Sequence, residues 1–392
     1  MYKVLLISYA NWDSLLELPA VLKKAGCTVD IYSKKNAWAL QNSSYSKWIA
    51  ANEHDDLYIR ELLDFVDKNG DEYNWIIPGD DPLIRLLNEH LQSEKLFYKI
   101  MPLTKIENRE LLGSKAGFSN LCKQYNIKTP RFLIYNPLLS VEEIGAYMGY
   151  PFLAKLDQSE AGTGIFSIEN EEMLKETLYK VANKENLVFQ QFIKGYDINI
   201  EALYKNGELL VYNYSHVLTI LGNYGLSTRR LFCRNTEVDA EMMKIGRSIG
   251  LNGFASIAFM YSETERTHYL IEIDARPNSW IYYGKFTGND FSEAIKNMIN
   301  GNLAFMQPGD KAKEVKIYHY LKDMARCIVN KDVKGATDWL VNKDGCRQYI
   351  PHYDRKTLAA CNKYLRFFFT ELFTNKIRKA IGKPVINTTY KN

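Results

Sequence analysis

Residues 269–278 combine two carboxylates and an arginine at alternating positions, in the order YLIEIDARPN. In a β-strand, side chains point alternately to two faces, so Glu272 and Asp274 would share one face about 7 Å apart. Leu270 and Arg276 belong to the same face. The opposite face would be apolar, with Tyr269, Ile271 and Ile273. Carboxylates so placed repel each other unless a cation lies between them, which predicts a metal site. A solvated strand face ending in a turn is the alternative.

A lysine within an apolar strand and a glycine-containing loop follow each other at residues 151–164. The strand PFLAKL carries Lys155, and burying a lysine is costly unless it meets an anion. The loop after it contains Gly162 and Gly164. Such a loop can bring backbone amides close to phosphate groups. The segment predicts a phosphate-binding flap, and an ordinary hairpin with an edge lysine is the alternative.

The elements that must position these residues begin with residues 1–102, where short apolar strands alternate with helices. This alternation predicts a parallel sheet with crossover helices. Ligands of such sheets bind beyond the carboxyl ends of the strands, which are followed here by Tyr9–Asp13 and Gly79–Asp81. The glycine-rich dinucleotide fingerprint is missing after the first strand, so nicotinamide and flavin binding are not expected.

The middle of the chain mixes helices and strands. Helical periodicity from Ile106 to Tyr125 predicts one helix that includes Lys115. Strands are predicted at 188–193, 198–204, 209–214 and 226–232, and the last of them carries Arg229 and Arg230. A strand at 253–261 is expected to pair with 269–274 as a hairpin.

The composition excludes several classes of protein. The 392 residues are 46% hydrophobic and 24% charged, which is typical of globular proteins with two or three domains. The first apolar run, Val4–Ile7, is too short for a signal peptide or a membrane span. Six cysteines without metal-ligand spacing predict reduced thiols in a cytoplasmic protein, and six scattered histidines give zinc no support.

The charge is unevenly distributed along the chain. Residues 355–392 carry +8 and residues 1–354 carry −4, so a nucleic-acid surface is not expected on the body. The basic part also contains an apolar helical stripe, with Phe367 and Phe373 outside it. The stripe consists of Leu358, Cys361, Leu365, Phe368, Phe369 and Leu372. It predicts either contact with an anionic membrane or an acidic partner, or packing on the protein's own body, which is the commoner outcome.

Taken in order, a helix lysine, a strand lysine, a glycine flap, a hinge and a Glu-x-Asp-x-Arg strand resemble the ATP-grasp superfamily of carboxylate–amine ligases. The resemblance covers residues 1–305. It implies an α/β and α+β protein with a Rossmann-like pre-ATP-grasp domain (1–102) before a two-lobed ATP-grasp unit (103–305). The smaller lobe would be 103–190 and the larger 191–305, followed by a C-terminal helical extension (306–392).

The resemblance implies ATP and Mg²⁺ as cofactors and assigns roles by position. Two lysines and the glycine loop would hold the phosphates, a hinge would read adenine, and an acid would bind the ribose hydroxyls. These nucleotide-binding positions are Lys115, Lys155, Gly162, Gly164, Gln190, Gln191, Ile193 and Asp197. The metal-binding positions are Glu272 and Asp274. The catalytic positions, which would contact the γ-phosphate, the acyl-phosphate or the substrate, are Arg229 or Arg230, and Arg276.

The implied reaction activates a carboxylate as an acyl-phosphate and couples it to an amine, releasing ADP and phosphate. The expected partners are therefore a small-molecule acid and a small-molecule amine, and a homodimer stays open. The hinge opens with Gln190 where Glu is usual. The family places a metal-binding acid on the preceding strand, and this chain has Ala258 at that position. Asp274 stands where Asn is usual, as if the chain had moved one carboxylate from position 258 to position 274, which keeps the charge of the metal site. The alternatives are a catalytically silent ATP-binding or scaffold protein and a phosphoryl-transfer variant of the same fold.

Overall fold

The computed structural model describes residues 1–159, 164–181, 184, 186–222, 225–306 and 314–380, the last ten by their backbone alone. The N-terminal region is a parallel sheet in the order β3-β2-β1-β4. Its strands are β1 (Tyr2–Ser8), β2 (Cys27–Ser33), β3 (Lys47–Ala50) and β4 (Trp75–Pro78). Its helices are α1 (Leu18–Lys24), α2 (Asp55–Asn69), α3 (Asp81–His90) and α4 (Glu94–Ile100). The predicted parallel sheet is confirmed. Strand β3 was not predicted, because its residues are largely exposed and show no apolar run.

The smaller lobe is an antiparallel sheet in the order β5-β8-β6-β7, covered by helices. Its elements are α5 (Lys115–Gln124), β5 (Phe132–Ile134), α6 (Val141–Met148), β6 (Phe152–Lys155), β7 (Ile165–Ile168), α7 (Glu171–Lys180) and β8 (Val188–Gln191). The prediction of one helix from Ile106 to Tyr125 is wrong. A 3₁₀ segment, Ile106–Leu111, ends before Gly113, whose φ of +79° interrupts the helix. Lys115 therefore lies in the first turn of α5 rather than within a longer helix.

The larger lobe is a six-stranded antiparallel sheet in the order β13-β12-β9-β10-β11-β14. Its elements are β9 (Gly195–Lys205), β10 (Glu208–Ile220), β11 (Ser227–Cys233), α8 (Asp239–Ile249), β12 (Gly253–Ser262), β13 (Thr267–Asp274), α9 (Phe291–Ile299) and β14 (Val315–Tyr318). Strand β14 comes from the C-terminal part of the chain and completes this sheet. One apolar cluster runs from Leu5 and Ile7 of β1 to Ile198 and Ile200 of β9, so the N-terminal region packs directly on the larger lobe.

The predicted hairpin of β12 and β13 is confirmed, but its side chains do not alternate strictly. A β-bulge lies between the pairs Ala258–Glu272 and Phe259–Leu270. Leu270 was expected beside the carboxylates, and this expectation is wrong: Leu270 is fully buried in the same apolar core as Ile273. The bulge shifts the phase of the strand, and Glu272 and Asp274 stay on the open side.

The C-terminal part contains α10 (Tyr320–Val329), α11 (Val333–Leu340) and α12 (Arg355–Ala380). The predicted packing of the stripe on the body is confirmed for the first turns of α12, where Cys361 and Leu365 are buried against Leu16 and Leu321. Phe369 was expected in the stripe but is 66% exposed, and Phe367 is 56% exposed. Among the described residues, no helix combines the length and the apolar character needed to cross a bilayer.

Candidate functional site

Charged side chains from the loops of the N-terminal sheet, from the end of β13 and from Lys155 of β6 meet in one region, which is here called the cleft. Arg276, directly after β13, forms ion pairs with Asp81 at 2.6 Å and with Asp274 at 2.9 Å. The guanidinium also lies 5.0 Å from the centre of the Trp12 ring. Asp81 and Trp12 follow the carboxyl ends of β4 and β1. The predicted ligand-binding edge of the N-terminal sheet is therefore one wall of this cleft.

Lys155, the last residue of β6, forms the opposite wall. Its side chain is buried, and this burial lowers the pKa of the ammonium from 10.5 to about 8, although Glu272 and Asp197 oppose the shift. Lys115 also lies close enough to lower this pKa further. A buried lysine that lacks a full counter-ion is suited to hold a phosphate group, because an anionic ligand would restore its charge.

Lys115 points at the loop that follows β6. Its Nζ donates to the carbonyl oxygens of Asp157 at 3.2 Å and Ser159 at 2.8 Å. The Asp157 carboxylate accepts the backbone N–H of Ala116 at 2.8 Å and the hydroxyl of Ser114 at 2.9 Å. These bonds fix the start of α5 to the start of the glycine loop, so Lys115 and Lys155 are held side by side.

The glycine loop is described only at its end. Gly162 lies outside the described residues. Gly164 adopts a φ of +77°, and a Cβ there would lie 2.8 Å from the side chain of Leu156. A larger residue at position 164 would therefore be strained twice, by its backbone and by this contact.

The predicted hinge residues Gln190 and Gln191 lie at the end of β8, and Ile193 lies in the connection to β9. Gln190 and Ile193 are buried, and the Gln191 side-chain oxygen accepts the backbone N–H of Arg131 at 3.3 Å. Asp197 is exposed on β9 and lies close enough to Lys155 to act on its pKa. Asp197, Lys155 and Lys115 are therefore neighbours.

The two candidate arginines of β11 point in different directions, as neighbours on a strand do. Arg229 donates to Asp323 at 2.9 Å and to Asp338 at 2.5 Å, inside the C-terminal part of the chain. Arg230 donates to Glu201 at 2.7 Å, and its guanidinium lies 4.4 Å from the Trp280 ring centre. Arg230 is therefore buried beside Glu201 and near Lys322, whereas Arg229 is bound within the C-terminal part.

Glu272 and Asp274 are the two carboxylates that the sequence predicts as metal ligands. Ala258 lies opposite Glu272 in the ladder, and among the described residues no group of three acids, histidines or cysteines is arranged to hold a metal. The pKa of Asp274 is raised well above its ordinary value by burial and by the nearby charge of Asp81, with Arg276 opposing. A desolvated carboxylate beside an exposed one fits Mg²⁺, which takes one or two carboxylates and fills its other positions with phosphates and water.

Residues that the sequence did not single out complete the surroundings of the cleft. Lys322 of α10 donates to Ser279 Oγ at 2.9 Å, beyond Arg276. Asp13 lies 3.6 Å from the same ammonium. The sequence offered little reason to select Lys322. A lysine on an amphipathic helix is usually exposed, so this one looks like a surface residue until its partners are known.

Comparisons with known proteins identify the domain that carries these residues. Residues 114–279 match the family model described as ATP-grasp domain. The chain is 24% identical over 273 residues to carbamoyl-phosphate synthase of Methanobrevibacter smithii, a match that covers 66% of this chain and 71% of that protein. It is 24% identical over 178 residues to phosphoribosylamine–glycine ligase of Clostridium acetobutylicum, with 43% and 42% covered. This second match spans less than half of that ligase.

A solved structure shares the fold over most of the chain. The crystal structure of N5-carboxyaminoimidazole synthetase from Staphylococcus aureus complexed with ADP has a TM-score of 0.62 and 14% identity, and the match covers 85% of this chain and 86% of that one. At this identity the likeness establishes the fold alone.

Proposed function

The chain carries an ATP-grasp domain, and on that basis we propose that it is an ATP-dependent ligase that joins a carboxylate to an amine. The supporting observation is the cleft in which two lysines of the smaller lobe face two carboxylates of the larger lobe. Relatives that are named as ligases support C–N bond formation as the reaction class.

The chemistry explains why the cleft needs both kinds of charge. A carboxylate is a poor electrophile, because it is anionic and has no good leaving group. Transfer of the γ-phosphate of ATP turns it into an acyl-phosphate, which an amine attacks to form an amide and release phosphate. The enzyme mainly has to position the reactants and neutralise charge on the phosphoryl group.

We assign the nucleotide to the wall formed by the smaller lobe. Lys155 and Lys115 bind the phosphates, together with the loop that contains Gly162 and Gly164. Adenine lies at the hinge, and Asp197 binds the ribose hydroxyls. The hinge residues are Gln190, Gln191 and Ile193. The cleft would exclude water, which otherwise hydrolyses the acyl-phosphate.

We assign the metal and the acyl-phosphate to the opposite wall. Glu272 and Asp274 would hold Mg²⁺, which supplies charge neutralisation for the transferring phosphoryl group. Arg276 and Arg230 contact the acyl-phosphate or the substrate. Arg229 is assigned a structural role, because Asp323 and Asp338 already bind it.

The experiment compares Lys155→Ala with Lys205→Ala, a matched control at the far end of β9. Losing one charge-assisted contact costs about 1.5–3 kcal/mol, which is roughly a 10- to 150-fold weaker ATP affinity. Calorimetry measures ATP binding, and ADP release is followed over a pool of acids and amines. Equal ATP affinity and turnover in Lys155→Ala and the parent would remove the nucleotide from this wall.

A catalytically silent ATP-binding protein is the second candidate, because Ala258 stands opposite Glu272 where a third carboxylate would complete the metal set. ADP release that requires both an acid and an amine supports the ligase. ATP binding without turnover on any substrate pool supports the silent protein. ADP release with an acid alone points to a phosphoryl-transfer variant.

We propose that the end of α12 and the residues after it contact an anionic membrane surface. Phe367 and Phe369 are exposed, and five basic residues follow between 371 and 392. Attraction of about 1 kcal/mol per basic residue is expected near such a surface. It should weaken with salt, because the screening length falls to about 8 Å at physiological ionic strength.

Deleting residues 371–392 tests this contact and leaves Cys361 and Leu365 in place. We expect a folded, active protein that no longer sediments with phosphatidylserine vesicles, with phosphatidylcholine vesicles as the control. A full-length protein that ignores both vesicles at low salt contradicts the proposal and leaves an acidic protein partner as the alternative. We also place the protein in the cytoplasm, since all six cysteines are free.

A further inference from the structure

A second group of charged side chains, here called the inner cluster, lies beyond Arg276 at the buried end of the cleft. It consists of Asp13, Glu17, Glu201, Arg230, His319 and Lys322. The N-terminal region, the larger sheet and the C-terminal part each contribute two of these residues. Lys322 is central, because its charge acts on the pKa of Glu17, Glu201 and His319 and it interacts with Arg276.

The inner cluster contains a hydrogen-bond donor that has no acceptor. His319 Nδ1 accepts the backbone N–H of Lys322 at the start of α10, so the ring proton of the neutral imidazole lies on Nε2. The pKa of His319 is well below its ordinary value because the ring is buried beside Lys322 and Arg230. Nε2 is buried and has no partner among the described residues. The ring contacts Trp280 and Tyr283, which hold it in this orientation.

The same cluster contains three carboxyl oxygens without a hydrogen-bond partner. Asp13 Oδ2, Glu17 Oε2 and Glu201 Oε2 are buried and find no hydrogen bond within the described part of the chain. Glu201 uses only its other oxygen for Arg230 at 2.7 Å. The Asp13 side chain is 16% exposed and follows Trp12, whose ring contacts Arg276, so this side of the cluster adjoins Arg276.

Buried polar atoms in folded proteins are nearly always paired, so unpartnered donors and acceptors in one place indicate a ligand. The charges add a second condition. Arg230 and Lys322 balance Asp13 and Glu201, while burial raises the pKa of Glu17 to about 8 and keeps it largely protonated at pH 7. A ligand that carries both charges preserves this balance, whereas a lone anion or a lone cation disturbs it.

We propose that the inner cluster binds the ionised head group of an α-amino acid, which is one of the two substrates of the ligase. The ammonium donates to the free oxygens of Asp13 and Glu17, which lie close enough for the Asp13 charge to act on Glu17. The carboxylate accepts from His319 Nε2 and Lys322. The assignment rests on the proposed function only in treating the amino acid as a substrate; binding itself is independent of turnover.

The experiment measures binding by calorimetry, with a non-hydrolysable ATP analogue present. The probes are the twenty L-amino acids, each compared with the acid that lacks the amino group and the amine that lacks the carboxyl group. We expect at least one amino acid to bind about tenfold or more tightly than either of its one-charge analogues. Affinity for the ATP analogue is measured on the same preparation.

Two variants test the residues. Asp13→Asn and Lys322→Met should each weaken amino-acid binding by about tenfold or more and leave the affinity for the ATP analogue unchanged. Lys316→Met on β14 is the control, because that lysine pairs with Asp344 outside the cluster. If Lys322→Met does not fold, Asp13→Asn decides, since it keeps the shape of the side chain.

The outcomes separate this inference from the proposed function. A protein that binds the ATP analogue but none of the amino acids overturns the inner cluster as an amino-acid site and leaves the ligase intact. Equal binding of an amino acid and its deaminated analogue overturns it too, because the site is then a simple anion site. If the parent protein does not bind the ATP analogue, the nucleotide assignment is wrong instead.

Discussion

Replacing Glu17 with Gln should make the protein less sensitive to rising pH. Glu17 is 6% exposed, and burial raises the pKa of its carboxyl from 4.5 to about 8, with Asp13 adding to the shift and Lys285 and Lys322 opposing it. The folded state therefore keeps a proton that the unfolded state releases between pH 4.5 and pH 8. The free energy of unfolding then falls as the pH rises through this window and is level above it.

The magnitude follows from these two pKa values. Between pH 5 and pH 8 the linkage amounts to about 3.5 kcal/mol, at 1.36 kcal/mol per pH unit, as an upper bound. For a chain of 392 residues this corresponds to a melting-temperature difference of about 4 °C. Glu17→Gln removes the ionisable group and should lose less stability than the parent over the same interval.

Denaturant titrations at pH 5, 6, 7 and 8, without substrates, measure the effect. Glu107→Gln serves as the matched control, because Glu107 is exposed on the 3₁₀ segment Ile106–Leu111. The quantity of interest is the difference in pH dependence between each variant and the parent, which cancels all other titrating groups. Identical pH dependence for Glu17→Gln and the parent would refute the claim that this carboxyl is protonated when buried.

Three further substitutions test the positions of residues around the cleft. Arg229→Met should lower the free energy of unfolding by about 3 kcal/mol, the lower end for a broken buried ion pair, because Asp323 keeps Arg326 and Trp339. ATP affinity should stay unchanged at temperatures where that variant is folded, and a large loss would return Arg229 to the nucleotide site. Gly195→Ala should lower the melting temperature, because its Cβ would lie 1.8 Å from the carbonyl oxygen of Tyr261 and push β9 from β12; an unchanged melting curve would contradict this packing. Asp81→Asn removes the 2.6 Å ion pair with Arg276 and should cost about 1–3 kcal/mol in thermal or chemical unfolding, whereas no change would mean that the two groups are solvated.

The two arginines of β11 illustrate what the sequence could not predict. The sequence offers Arg229 and Arg230 as equivalent candidates, and strand alternation requires them to face different sides. It does not say which side is the cleft. The answer depends on Asp323 and Asp338, which bind Arg229, and on Glu201, which binds Arg230.

By itself, the sequence determined the parallel N-terminal sheet, the antiparallel hairpin that carries Glu272 and Asp274, and the order of lysines, glycines and acids typical of an ATP-grasp domain. These features are local: they depend on periodicity, on turn residues and on short spacings, which act within one element. Local periodicity missed the bulge that buries Leu270, and it missed the break at Gly113, where a glycine in the left-handed region interrupts the helix.

Only the tertiary structure decided which distant charges meet. It joins Asp81 of α3 to Arg276, and it places Lys322 of the C-terminal part beside Asp13 and Glu17 of the N-terminal region. A charged side chain in a sequence looks the same whether water or another chain segment surrounds it. The free-energy cost of a charged side chain and its role depend on its burial and its partners, and only the folded structure shows these.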